Sequence, residues 1–442
     1  MIIAAKSRST ITGVLAASAT ATGLLAGAAL GSAPTANASC ASFFGLGNSA
    51  DCSSTLLSVA VAIGNGATAH STSLFGASFA VGTNASASTT NALTLATAVG
   101  DGSVAKAGGF LGIATQVGSG GSATVNPGGV LNVATNIGGD NNTVATGNAT
   151  TGSILNWATN LFGNGNTVTA EGGIANWATN FGGNTNTVMT NGSLSNTATN
   201  ILGSNNTVIT TVGYLNWARN VLGDGNTVSV TGGYYNSVRN FIGSGNAVTI
   251  TGGYGSFARN LFGNGNTVST GAGISSLATN LLGSNNHAIV TGGYYNTARN
   301  WFGNDNDLTI GGGGSNLDFG FNLFGNGNHL ASGPGQFNIV FNGAGGGNTV
   351  TGGPGDLNLA FNTFGSLNNV KAGPGPLALA GTIFRTGLTV TKTNPGIAIN
   401  NFRIGGAQAT GPQSAKAAAP KASASGKKAA KPSGPKGGKR TR

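Results

Sequence analysis

Between residues 153 and 305 the chain alternates inward-type and outward-type side chains with the period of two expected of β-strands. Each run is broken at a Gly/Asn turn and then resumes. Ile154, Asn156, Ala158, Asn160 and Phe162 form one parity set, and Leu155, Trp157 and Thr159 form the other. At the Ala158 position the following units carry Ala178, Ala198, Ala218, Val238, Ala258, Ala278 and Ala298, up to Asp318, which suits a narrow interior. At the Thr159 position they carry Arg219, Arg239, Arg259 and Arg299, which places that set in water, because a charge has no partner inside so small a coil. After the turn, Val168 is expected inside, with Thr167 and Thr169 outside.

The unit repeats. Its anchor asparagine returns as Asn160, Asn180, Asn200, Asn220, Asn240, Asn260, Asn280 and Asn300, within a phrase close to Gly-Gly-x-x-Asn-x-Ala-(Thr/Arg)-Asn-x-x-Gly-x-x-Asn-Thr-Val. One short fixed period predicts an all-β parallel solenoid in which neighbouring coils share the core. The anchor then stacks on itself as an inward or corner ladder of amides. Over residues 55–135 the period is mainly eighteen, with Ala62, Ala80, Ala98 and Gln116 at the anchor. Over 136–406 it is mainly twenty, with a small insertion near 147–151 and a wider step to Asn322. Pro334-Gly335, Pro354-Gly355 and Pro374-Gly375 read as turns opening the later coils. About eighteen coils at a strand spacing of about 4.8 Å make a rod roughly 85 Å long.

Outside the repeats, residues 1–38 read as a secretory signal, with Lys6 and Arg8, an apolar and small-residue run, and Ala36-Asn37-Ala38 as the cleavage site. No transmembrane span is expected in the mature chain. Cys40 and Cys52 are the only cysteines; in an exported chain they are expected to form a disulfide that staples a cap over 39–54.

Charge sharpens the picture. The chain has 79 glycines in 442 residues, only 7% charged residues, and a net charge of +11. The excess lies in residues 407–442, an Ala/Pro/Lys-rich tail expected to be disordered. There Lys416, Lys421, Lys427, Lys428, Lys431, Lys436, Lys439, Arg440 and Arg442 stand without any acid. Such a run attracts polyanions: an anionic glycan, a cell-envelope polymer, or nucleic acid. Without interleaved aromatics it gives no means of specific base recognition.

Val61-Ala62-Ile63-Gly64-Asn65-Gly66-Ala67-Thr68-Ala69, repeated as Phe79-Ala80-Val81-Gly82-Thr83-Asn84-Ala85-Ser86-Ala87, resembles the head repeats of trimeric autotransporter adhesins. That resemblance implies a parallel β-roll displaying an adhesive surface. The Gly/Asn-rich coils are similar in composition to secreted surface repeat proteins of mycobacteria, and the tail to those of mycobacterial heparin-binding adhesin and histone-like proteins.

The chemistry available is thin. His70, His287 and His329 lie far apart in sequence, Glu171 is the single glutamate, and Asp305 and Asp307 are the one close acidic pair. A polysaccharide-cleaving enzyme needs clustered carboxylates, so catalysis is disfavoured, and no cofactor or metal is expected. Asp305 and Asp307 read as a solvated turn rather than a Ca²⁺ site. Trp157, Trp177 and Trp217, with Phe257, with Tyr235 and Tyr295 two positions earlier in their coils, and with the stacked Arg219, Arg239, Arg259 and Arg299, are the candidate binding stripe. Aromatic faces beside guanidinium groups suit sulfated or acidic sugars. Thr167, Thr187, Thr207, Thr227 and Thr267 form an outward ladder too irregular at its second position for ice binding. The expectation is therefore a secreted or cell-surface solenoid for adhesion or envelope attachment. The alternative is a self-assembling structural rod.

Overall fold

In the computed structural model, which describes residues 39–148 and 152–405, those residues form a parallel β-solenoid of about 17 turns with no helix among them. Residues 1–38, read as a secretory signal, and the basic tail lie outside the described residues. Each coil contributes one strand to each of two long sheets. In the first, Trp157–Leu161 stacks on Trp177–Asn180, which stacks on Thr197–Asn200 and then Trp217–Leu222. In the second, Thr167–Glu171 stacks on Thr187–Asn191 and Thr207–Thr211 in the same way. Along one edge a third line of single bridges joins Leu74, Ala92, Phe110, Val130, Ile154, Ile174, Leu194, Tyr214, Tyr234, Tyr254 and Ile274.

Register never slips. The eighteen-residue coils pair Ala62 with Ala80, Ala98 and Gln116, and Gln116 then pairs with Asn136. The change of period leaves the stack continuous, because the extra residues are taken up at the corners. Asn136 faces Asn160, although 24 residues separate them, and Asn300 faces Asn322 across a step of 22. The second insertion corrects one expectation. Asp318 is not the counterpart of Ala298: Gly320 is. Gly320 has no side chain because Ile310 from the opposite sheet fills the space that a Cβ would need.

The core is a thin file of small side chains. Ala158, Ala178, Ala198 and Ala258 on the first sheet, and Val168, Val188, Val208 and Val228 on the second, are fully buried. Three columns of buried asparagine run beside them. In the anchor column each amide donates to the carbonyl of the preceding coil, from Asn180 Nδ2 to Asn160 Oδ1 at 2.7 Å through Asn300 Nδ2 to Asn280 Oδ1 at 2.8 Å. This ladder starts on Gln116, whose Oε1 accepts from Asn136, and ends on Thr382, which donates to Asn362. The Asn156 and Asn166 columns work differently. Their Oδ1 atoms accept the backbone N–H of the next coil's asparagine, as Asn176 N does to Asn156 and Asn186 N to Asn166. The backbone N–H at these corners is thereby satisfied inside the stack, while the Nδ2 groups of Asn206, Asn226, Asn338 and Asn358 are buried without a partner.

The expected parity fails at its two ends. Ile154 and Phe162 are exposed, at 39% and 62%, rather than inside. The strand proper runs only from Trp157–Leu161. Beyond it the backbone turns through left-handed conformations at Leu155 (φ 59°) and Phe162 (φ 63°), and alternation holds only within extended chain. The corner after Phe162 is glycine: Gly163 has φ 100°, and a Cβ there would strike the Gly183 carbonyl of the next coil. Thr169, expected outside, is covered.

Both ends of the first sheet close with a reversed strand. Ser39–Phe43 pairs antiparallel with Val59–Ile63, and Phe402–Ile404 with Ile397–Ile399. The Cys40–Cys52 disulfide ties the first of these to Cys52–Ser54, the opening strand of the second sheet. A reversed strand stops another coil from continuing the parallel register. That disfavours end-to-end growth by simple coil addition.

Candidate binding surface

The two outer faces differ in chemistry. The second sheet presents mostly hydroxyls, with Thr167, Thr187, Thr207 and Thr227 in register. The first sheet presents aromatic and aliphatic side chains plus the arginines. Trp157 and Trp177 touch, with ring centroids 5.2 Å apart, and both precede the arginines. Trp217 stands two coils further on, separated from Trp177 by Thr197. It shares a strand with Arg219, so the stripe divides into a tryptophan pair and a Trp217–arginine block.

Within that block, Arg219 faces Arg239 and Arg239 faces Arg259 in the sheet register. Among the described residues no carboxylate makes an ion pair with any of them; the one ion pair is His329 with Asp307 at 3.1 Å. Burial, and then the charge of Arg239, push the Arg259 guanidinium below its ordinary pKa, while its cation lies 5.0 Å from the Phe257 ring centre. Arg299 is set apart by Thr279 and lies 5.7 Å over the Phe321 ring. Three like charges in register cost a few tenths of a kcal/mol each, even when solvated.

The basic tail residues from Lys416 to Arg440 lie outside the described residues. His287 and His329 were expected to be remote from one another. Instead they share one column of the second sheet with Asp307 between them. Distance in sequence misleads when each coil returns to the same place. Even so, no three metal-ligating side chains converge among the described residues. Asp305 and Asp307 engage different partners: Asp305 accepts from Asn285, and Asp307 pairs with His329 and accepts from Thr309.

Asp318 is the ionisable group that sequence reasoning misplaced. It occupies the Asn156 column, fully buried, accepting from Asn338 N at 2.7 Å and from Ser332 Oγ at 3.2 Å. Burial is the main cause that raises its pKa from 3.8 to about 6, against the lowering effect of those hydrogen bonds. With the folded value above the unfolded one, the folded state holds the extra proton. Stability is therefore greatest below the unfolded pKa and falls as pH rises between about 4 and 6. Replacing Asp318 with Asn restores the ladder chemistry without charge. We expect that variant to be more stable at pH 7.5 by up to about 2 kcal/mol and to lose this pH dependence, measured by urea unfolding at pH 4.5 and 7.5. Equal stability of the two proteins at both pH values contradicts the assignment.

No family model, curated protein or solved structure matches this chain. The likeness of the first coils to adhesin head repeats therefore rests on their motif alone.

Proposed function

We propose that the protein is an exported surface rod that attaches to an anionic glycan or cell-envelope polymer. The observation that supports this best is the in-register Arg219–Arg239–Arg259 column, which has no carboxylate partner among the described residues and stands beside Trp217 and Phe257. An anionic polymer relieves that repulsion and gains aromatic contact in the same step. The described part of the chain contains no helix long and apolar enough to cross a membrane. Its disulfide suits an oxidising compartment. The tail supplies a second, non-specific electrostatic anchor. Catalysis has no support in the scattered acids.

Heparin serves as the probe. The full chain should bind it with an affinity that falls steeply with salt, since exposed charges are screened within about 8 Å at physiological ionic strength. A chain ending at Gly411 should lose most of the binding, and Arg239→Ala in that background should remove the rest. If the shortened chain binds as tightly as the whole and Arg239→Ala still abolishes binding, the rod face alone is the receptor surface and the tail is no anchor. Binding indifferent to both changes ends the proposal.

A second reading, side-to-side self-association, is favoured by one feature. Phe321, Phe341 and Phe361 are in register on the outer face of the first sheet, beside Phe319, Ile339 and Leu359. Sedimentation velocity on the full chain distinguishes the two readings: a concentration-dependent oligomer lost in Phe341→Ser supports association.

A further inference from the structure

The chain has six tyrosines, and all six lie on one edge of the rod: Tyr214, Tyr234, Tyr235, Tyr254, Tyr294 and Tyr295. In most other coils the same corner carries Leu, Ile, Phe or Val, so the tyrosines are confined to one stretch. Each is 38–53% exposed. Tyr214 and Tyr234 stack with centroids 5.0 Å apart and planes within 4°. Tyr254 continues the file 6.5 Å from Tyr234 and meets the edge of Tyr235 at 5.5 Å. Ile274 interrupts the file, and there a shallow groove of about 440 Å³ opens, walled by Tyr234, Tyr254 and Tyr294 over a floor of Gly253, Gly273 and Ile274. A Cβ on Gly253 would collide with the Gly273 carbonyl, so the floor is kept bare by the stacking of coils itself.

Tyrosine and arginine occur together. Tyr214, Tyr234, Tyr254 and Tyr294 are each followed five residues later by Arg219, Arg239, Arg259 and Arg299, whereas Ile274 is followed by Thr279. The two columns bound one band of surface, at most about 17 Å across at the rise of an extended strand. Core packing does not demand this pairing, since both positions face outward.

We infer that the tyrosine edge is a saccharide-binding groove in which a sugar ring of a polysaccharide lying along the rod axis enters the gap over Ile274, packing against Tyr254 with Tyr234 lining the near end and Tyr294 closing the far end. The rings are amphipathic, as a sugar is. Tyr234 gives one face to Tyr214, so the ring surface turned toward the Ile274 gap takes the apolar C–H side of a pyranose, and the hydroxyls exchange hydrogen bonds with its rim. The arginines would take acidic groups of the same or a neighbouring polymer strand, and that part rests on the function proposed above. The stacking does not.

An uncharged probe separates the two. Cellohexaose, titrated into the full chain and followed by calorimetry and by the tyrosine ring NMR signals, should perturb the edge tyrosines and bind saturably. Tyr234→Ala with Tyr254→Ala should weaken that binding at least tenfold, Tyr254→Phe by no more than about threefold, and Arg239→Ala not at all. These side chains are exposed, so circular dichroism of the double variant should match that of the parent. Heparin hexasaccharide is the charged counterpart, expected to respond to both tyrosine and arginine changes. If neither oligosaccharide moves the tyrosine signals, or the double variant binds both as the parent does, the groove is not a sugar site, even where heparin binding through Arg239 persists. A protein captured by the parent and lost with the double variant, with no response to either sugar, reassigns the edge to a protein partner and overturns the inference.

Discussion

Replacing Ala218 with Arg should abolish the folded stack around its coil. Ala218 is 1% exposed and lies in register between Ala198 and Val238. The opposite sheet sets Val208 and Val228 into the same narrow interior, where both are fully buried. A guanidinium there meets no carboxylate and no water, and its bulk exceeds any space the coil can open. Unpaired burial of charge and overpacking each belong to the class of changes that cost more than about 4 kcal/mol. The contrast is one residue away in sequence: Arg219 sits on the outer face at no comparable cost. We expect the variant to be insoluble, or to show in hydrogen exchange a loss of protection spreading from that coil to its neighbours, because each coil is stabilised only by those beside it. A soluble variant with parental protection and unfolding midpoint would show that position 218 is not interior.

The second large effect is expected in the amide ladder. Asn260 Nδ2 donates to Asn240 Oδ1 at 2.8 Å, and its own Oδ1 accepts from Asn280 at 2.8 Å and from Asn266 at 3.1 Å. Asn260→Ala removes these three hydrogen bonds inside a fully buried column. The neighbouring amides are left to weaker backbone contacts, such as Asn280 Nδ2 to the Gly283 carbonyl at 3.3 Å. With each lost bond worth about 1 kcal/mol and a small void added, the cost is about 3 kcal/mol, read as a lower urea midpoint. Asn264→Ala is the control. Its side chain lies on an exposed turn and accepts only from Ser244 N, so the loss there should stay below about 1 kcal/mol. Equal effects at the two positions would argue that burial, and with it the ladder, contributes nothing.

Sequence and structure agree where the physics is local. A fixed period with parity inside each strand was sufficient to place Ala158, Val168 and Asn160 inside and Arg219 outside. A side chain in extended backbone has only two faces to choose from, and a coil that must repeat cannot change its choice. The pairing of Cys40 with Cys52 was legible for a similar reason, since only one pairing exists. The asparagines of the other two columns were visible in the same repeated phrase. Their role was not, because it lies in accepting a backbone N–H from the next coil, which no single coil contains.

The candidate surface was legible only in part. The arginine column follows from period and parity, so its register could be read directly. The tyrosine edge could not, although the coincidence of Tyr214 with Arg219 in successive units was there to be counted. Tyr235 and Leu155 turn the chain through left-handed conformations, and beyond such a corner alternation no longer says which way a side chain points. The same limit misplaced Ile154 and Phe162. Asp318 and the His287–Asp307–His329 column were missed because an insertion or a long sequence interval hides which residues meet. The sequence by itself determined the solenoid, its interior and its outward charges, since these depend on strand periodicity and burial. The tertiary structure alone decided the corners, the reversed end strands and the grouping of side chains across coils. Those depend on how each turn absorbs its extra residues so that the next coil can lie in register upon it.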